Sequence, residues 1–255
     1  MEKQSEHEKL TREIQSFWTR HVNAEEIMGR EVSEHSRGED QYFHDLESQR
    51  YRSHRHLLPW ITSMEKGKTV FEIGCGVGLD TFTMGKHGLR VTAADLTPVA
   101  ADTISKRFAN NNLTGSFTVA DACRLPIRDD SFDYVYSFGV LHHTADTDRS
   151  IQEVHRILKP GGEARIMLYN RHSLNELVHR LTRVPFEDKS EMCPVVRRFT
   201  HPEVHQLFRA FSSCRIKRDF VYGEGYGRVF KLTPLWLYRL MSRYWGWHLM
   251  ISATK

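Results

Sequence analysis

The chain has 255 residues, 40% of them apolar and 27% charged, and carries a net charge of +4. That size suits one domain with a buried core, with room for an added lid. Its four cysteines (Cys75, Cys123, Cys193, Cys214) lie far apart without a CxxC pair, which argues against a disulfide scaffold or a zinc site and for a reducing, cytoplasmic setting.

The opening MEKQSEHEKLTREI is too charged for a signal peptide, and every apolar run is far shorter than a membrane span. Residues 1–60 are charged and helix-compatible, with aromatics at intervals. From Lys68 onward, strands alternate with helices. TVFEIG reads as a strand and LDTFTMGKHG as a helix stopped by glycine. RVTAAD is a strand, TPVAADTISKRFANNN a helix, SFTVADA and DYVYSFGVL two further strands. DRSIQEVHRILKPGG reads as a helix running into a Lys-Pro-Gly-Gly stop, followed by the strand EARIMLYN. Such alternation predicts a parallel sheet with helices on both faces. A capping box, Thr200 to Glu203, starts a later helix, and CRIKRDFVY and HLMISATK read as two last strands. Residues 171–199 and 223–246 break the alternation and stand as inserts.

Charge is uneven. From Arg171 to the end there are 15 Lys+Arg and 7 Asp+Glu, an excess of +8, whereas the preceding residues have 21 against 25, or −4. A solvated basic face accounts for this. So does an acidic partner: a carboxylate or phosphate substrate, RNA or a membrane surface.

VFEIGCGVGLDT holds the strongest signal, a glycine turn between a strand and a helix. The P-loop pattern GxxxxGK[ST] is absent. A dinucleotide turn, GxGxxG/A, needs a small residue where Leu79 stands. Glycines at 74, 76 and 78 preceded by Glu72 disfavour a pyrophosphate and favour a cationic ligand. With VTAADLT, VADACRLP, SFDYVYSFGVLHH and EVHRILKPGGEARIMLY, the chain resembles a class I S-adenosylmethionine (SAM)-dependent methyltransferase of the ubiquinone and menaquinone-biosynthesis kind over residues 68–170. The resemblance implies a Rossmann-like, doubly wound sheet of seven strands, mostly parallel with an antiparallel last strand. Residues 1–60 then form a helical lid, and 61–255 the methyltransferase domain.

The same resemblance implies SAM as cofactor. Gly74 and Gly76 let the backbone approach its methionine part, near Glu72, with Cys75 between them as a small buried filler. Asp95, beside Leu96, accepts the ribose hydroxyls. Asp121 accepts from the adenine amino group, and the Ala122 amide meets the ring. Gly139 and Val140 line the methionine side. Asp80 and Thr81 either reach the ligand or simply open the helix. Tyr42 and Tyr51 either cover SAM or pack as core aromatics.

Methyl transfer from a sulfonium releases a neutral leaving group, so alignment and dryness matter most, and a base only where the acceptor keeps a proton. His143, then His142, stand at the carboxyl edge of the fourth strand, where ligands of open sheets bind. Histidine exchanges a proton near neutral pH. Tyr169 and His172 follow as alternatives, with packing as the other reading of each. His201 and His205, four apart, lack the HExxH order and a nearby cysteine, so no metal is expected. His54 and His56 read as surface residues. Phe186, Phe230, Trp236, Tyr238 and Trp245, with Arg197, Arg198, Arg228 and Arg239, would suit a planar or apolar small-molecule acceptor bearing negative charge. Ser137–Val140 lacks the [DN]-P-P-[YF] motif of enzymes methylating base amines. An RNA methyltransferase and a non-catalytic SAM-binding protein remain as alternatives, the first disfavoured because basic residues do not cluster in runs.

Overall fold

The computed structural model describes residues 2–21, 33–36, 38–182, 193–223 and 226–255, with side chains from residue 5 onward. Three helices precede the sheet: α1 (Glu2–Arg20), α2 (Asp40–Ser53) and α3 (Leu57–Thr62). Then come β1 (Thr69–Ile73), α4 (Leu79–His87), β2 (Arg90–Asp95), α5 (Pro98–Asn110), β3 (Gly115–Val119) and β4 (Phe132–Phe138). A 3-10 turn (Leu141–His143) leads to α6 (Thr147–Ile157), β5 (Leu158–Tyr169) and α7 (Leu174–Thr182). The chain ends with α8 (His201–Leu207), β6 (Ser213–Asp219), α9 (Arg228–Leu232), α10 (Leu235–Trp245) and β7 (His248–Thr254).

The seven strands lie in the order β3-β2-β1-β4-β5-β7-β6. β1 to β5 pair in parallel, and β7 runs antiparallel to both β5 and β6. The expected doubly wound, mostly parallel sheet is therefore present. One face is covered by Ile61 of α3, Phe82 of α4 and Phe108 of α5. The other is covered by Ile151 and Val154 of α6 and Val204 of α8. Strand order reverses between β1 and β4, and this switch point opens a crevice at the carboxyl edge.

Local chemistry sets the boundaries. Gly88 (φ 96°) caps α4 in the left-handed conformation. Asp146 accepts the Arg149 amide at the start of α6. Thr200 and Glu203 bond reciprocally, as the capping box predicts. One boundary differs from the sequence reading. α6 stops at Ile157, and Leu158–Gly162 already belong to β5. Pro160 cannot continue a helix, and the Gly162 carbonyl accepts the Lys255 amide at 2.9 Å. The register of β4 and β5 shifts there, between Phe132 and Tyr134. The insert at 223–246 is helical, as α9 and α10.

Among the described residues, no helix is long and apolar enough to cross a membrane.

Candidate active site

The glycine turn packs β1 against the end of β4. Gly74 has φ 78°, and a Cβ there would stand 2.2 Å from a Val140 methyl. No side chain fits without moving Val140, so only glycine brings these two strand ends together. Gly76 has φ 51° and donates its amide to Asp95 Oδ2 at 2.9 Å. Asp95 Oδ1 accepts both the amide and the hydroxyl of Thr97. The carboxylate is thus locked in place while Oδ2 keeps a lone pair for a further donor. Asp121, just past β3, accepts the Cys123 amide through Oδ1 at 2.9 Å.

These groups face one cleft. Its walls include Gly74, Gly76, Asp95, Leu96, Asp121, Ala122, Gly139, Val140 and His143. Its roof is α1, through Thr11, Ile14 and Trp18. Contacts among the described residues hold the roof. His7 Nε2 lies 3.5 Å from Asp121 Oδ2, Gln15 donates to the Leu96 carbonyl at 2.7 Å, and the Trp18 ring meets His143 edge-on at 5.2 Å. From His7 to Trp18 the helix advances about 16 Å, so it crosses the cleft from the Asp121 end to the His143 end. Within residues 1–60 the sequence names Tyr42 and Tyr51 as either cover or core aromatics, and Trp18 is the aromatic that lines the cleft.

Those two tyrosines sit elsewhere. Tyr42 packs with Phe43, Leu46, Val77 and Leu79. The Tyr51 hydroxyl donates to Thr83 Oγ1 at 2.7 Å and lies 3.1 Å from Asp80 Oδ1. Asp80 also lies away from the cleft, in a buried ion pair. Arg50 donates through Nε and Nη2 to its two oxygens at 2.8 and 2.5 Å, and Tyr136 adds a hydroxyl at 2.8 Å. Although burial opposes it, Arg50 holds the Asp80 carboxyl below the ordinary range. Glu72 is buried below the turn and accepts from Thr81. Burial first, and then the Asp80 charge, raise its pKa well above the carboxylate range. Cys75 is a buried core residue whose thiol is pushed up by burial. Glu72, Cys75 and Asp80 therefore support the glycine turn and do not line the cleft.

At the other end, His143 reaches the cleft, and its Nδ1 lies 2.6 Å from the Val195 carbonyl. A carbonyl only accepts, so Nδ1 carries the proton and Nε2 bears the lone pair in the neutral ring. His142 is fully buried, with neither ring nitrogen bonded to a described residue. Burial, and next the neighbouring His143, keep it neutral. It packs on Tyr169 at 3.8 Å between ring centres. Tyr169 stacks in turn on Trp247 at 4.3 Å.

His54 and His56 are not surface residues, contrary to the sequence reading. His54 stacks on Phe220 at 4.4 Å, and Phe220 on His248 at 4.5 Å. The His56 and His248 rings approach at 3.2 Å between nitrogens. Burial pulls the pKa of His54 down to about 3 and that of His56 to about 4, in the latter case against the pull of Asp219. This neutral cluster lies directly behind Phe138, which lines the cleft.

The expected acceptor walls are only partly together. Phe230 and Tyr238 are buried with Val221 and Tyr222. Trp236 and Trp245 instead face outward. Arg197 donates to the Thr144 and Ala145 carbonyls, and Arg198 pairs with Glu176 at 3.5 Å. Phe186 lies outside the described residues. His201 accepts from Arg218 at 3.0 Å. Among the described residues, the single trio of metal-ligand type is His7, Asp121 and Cys123. In it, burial pushes the Cys123 thiol up to about 11.

The methyltransferase-domain family matches residues 71–166. Methyltransferase GfsG of Streptomyces halstedii is 34% identical over 103 residues, 39% of this chain and 37% of that protein. A ubiquinone biosynthesis O-methyltransferase of Coxiella burnetii is 30% identical over 107 residues, 42% of this chain and 46% of that protein. Sterol 4-C-methyltransferase strm-1 of Caenorhabditis elegans is 30% identical over 94 residues, 36% and 28% of the two chains. The chain thus matches less than half the length of each of these relatives. Among solved structures, a Haloferax volcanii methyltransferase in complex with the Trm112 activator shares 25% identity at a TM-score of 0.58, covering 85% of this chain and 95% of that one. A Pyrococcus horikoshii protein, 19% identical, shares the fold at a TM-score of 0.60, covering 83% and 92%. The match runs from β1 to β5, and over this part the chain is similar to SAM-dependent methyltransferases.

Proposed function

We propose that the protein transfers the methyl group of SAM to a small-molecule acceptor by in-line displacement. The observation that carries this reading is the convergence of Gly74, Gly76, Asp95 and Asp121 on one cleft beneath α1. Each fits a part of the cofactor. The glycine turn admits the methionine portion, the open lone pair of Asp95 Oδ2 accepts from the ribose, and Asp121 accepts from the adenine amine. When bound, SAM supplies a methyl group on a positively charged sulfur. The protein supplies alignment and dryness, with α1 as the lid that excludes water. Where the acceptor keeps a proton, His143 Nε2 takes it, and the Val195 carbonyl fixes the tautomer that permits this.

A small molecule suits this site better than RNA. Several basic groups of the C-terminal third are already held within the protein: Arg197 by carbonyls, Arg209 by Asp148, Lys217 by Asp219 and Lys255 by Asp130. The test is incubation with methyl-labelled SAM and a panel of phenols, carboxylates, amines and thiols, with tRNA alongside. Label on a small molecule supports the reading. Label on tRNA alone, or SAM binding with no transfer anywhere, overturns it.

A further inference from the structure

Helix α10 has two dissimilar faces. Its inner face is bound to the protein: the Tyr238 hydroxyl donates to the Tyr222 carbonyl at 3.0 Å, and Ser242 Oγ accepts the Val221 amide at 3.2 Å. Its outer half carries Leu235, Trp236, Arg239, Leu240, Arg243 and Tyr244, all exposed. At 100° per residue these six fall within one half of the helix circumference. Trp236 is 68% exposed, and in the adjoining α9 Leu232 is 77% exposed. Single exposed apolar residues are ordinary, but a contiguous group of this kind marks a contact surface.

Charge identifies the contact. From Tyr226 to Trp247 the chain has four basic residues, Arg228, Lys231, Arg239 and Arg243, and no acidic one. All four are exposed. Among the described residues none of them forms an ion pair, unlike the basic groups bound elsewhere in the C-terminal third. Tryptophan, tyrosine and leucine interleaved with unpaired arginines match the boundary between headgroups and acyl chains, where the rings and leucines enter and the guanidinium groups meet phosphate. A protein partner would have to bring both an apolar surface and carboxylates, whereas an anionic bilayer supplies both properties everywhere.

We infer that the outer face of α9 and α10 docks on an anionic phospholipid bilayer. This goes beyond the proposed methyl transfer and stands without it. The position has a consequence for that reaction all the same. Trp245, at the end of α10, is half exposed, and two residues on Trp247 stacks on Tyr169 against His142. The C-terminal end of α10 therefore adjoins the carboxyl edge of the sheet, where an apolar acceptor dissolved in the bilayer would enter.

The experiment is co-sedimentation of the full chain with phosphatidylcholine vesicles, with and without about one third phosphatidylglycerol. The protein should pellet with the anionic vesicles, less so in high salt, with a blue shift of tryptophan fluorescence. Arg239→Ala/Arg243→Ala should weaken partitioning about 30-fold, the worth of two basic groups near such a surface. Trp236→Ala/Leu240→Ala/Tyr244→Ala should weaken it at least as much. All five side chains point outward, so both variants should keep the wild-type melting temperature and its rise on adding SAM. Absence of vesicle binding, or binding unchanged in the variants, overturns the inference. So does a concentration-dependent dimer in sedimentation velocity that the triple variant dissociates, since the face would then belong to a second copy. Loss of the SAM-induced rise in the unaltered protein would instead count against the proposed function, leaving the docking result to be read separately.

Discussion

Replacing Arg50 with methionine removes the guanidinium that bonds both oxygens of Asp80 at 2.8 and 2.5 Å. The Asp80 side chain is 3% exposed and that of Arg50 is 19% exposed, so water cannot take over. Removing one partner of such a pair costs about 3–5 kcal/mol, because the remaining charge is buried alone. The Tyr51 and Tyr136 hydroxyls still reach Asp80, which puts the loss near 3 kcal/mol, or roughly 6–12 °C in melting temperature for a chain of this size. The loss has a pH signature. In the intact protein the Asp80 pKa is lowered, so its contribution is complete above the unfolded value of about 3.9 and disappears as pH falls through the folded one. Without Arg50, burial dominates and raises the pKa of Asp80. The variant then loses stability as pH rises through about 4, as unfolding comes to release the proton. The gap between the two proteins should be wide at pH 7 and narrow below pH 4. Urea unfolding at several pH values measures it, and Arg50→Met/Asp80→Asn should recover much of the loss. A gap that does not vary with pH would refute the reasoning.

Three further outcomes are expected. Gly74→Ala should weaken both fold and cofactor binding, by about 2–4 kcal/mol in stability, since it combines a left-handed backbone with a methyl driven into Val140; a variant as stable as the parent would show that the β1–β4 approach is loose. His54 and His56 have lowered pKa values, so the unfolded chain binds protons before the folded one does. Stability should therefore fall as pH drops from about 6.5 toward 4, by up to about 1.4 kcal/mol per pH unit for each histidine, and His56→Phe should flatten that slope in a denaturation series. His143→Ala should lower turnover on a hydroxyl acceptor by roughly 10²- to 10⁴-fold with SAM affinity little changed; a large loss of SAM binding would make His143 a wall of the cofactor cleft and no base.

The elements carrying the glycine turn, Asp95 and Asp121 are legible in the sequence because each signal is local. A strand, a tight turn and a helix start lie within about ten residues, and their geometry fixes where the next carboxylate stands. The 3-10 turn that holds His143 follows β4 in the same way. What escapes is whatever depends on a distant partner. Asp80 opens a helix and so reads either as a ligand residue or as a plain helix start, but its partner Arg50 comes from α2, thirty positions earlier. Tyr42, Tyr51 and Trp18 are alike in composition and spacing, and only tertiary packing decides that α1 is the roof. His54 and His56 look solvated beside Arg52 and Arg55, yet Phe220 and His248, far along the chain, enclose them. In α10 aromatic content suggests an acceptor wall, and the anchoring of Tyr238 and Ser242 turns Trp236 the other way.

Calorimetric titration with SAM shows whether the cleft beneath α1 is a SAM site. One site per chain with micromolar affinity, about −8 kcal/mol, is expected. Binding should be at least tenfold weaker in Asp95→Ala, which loses the ribose acceptor and frees the Gly76 amide from its partner. NAD, whose pyrophosphate this glycine turn does not suit, should give no heat. Binding of NAD without SAM, or SAM affinity unchanged in Asp95→Ala, would contradict the account.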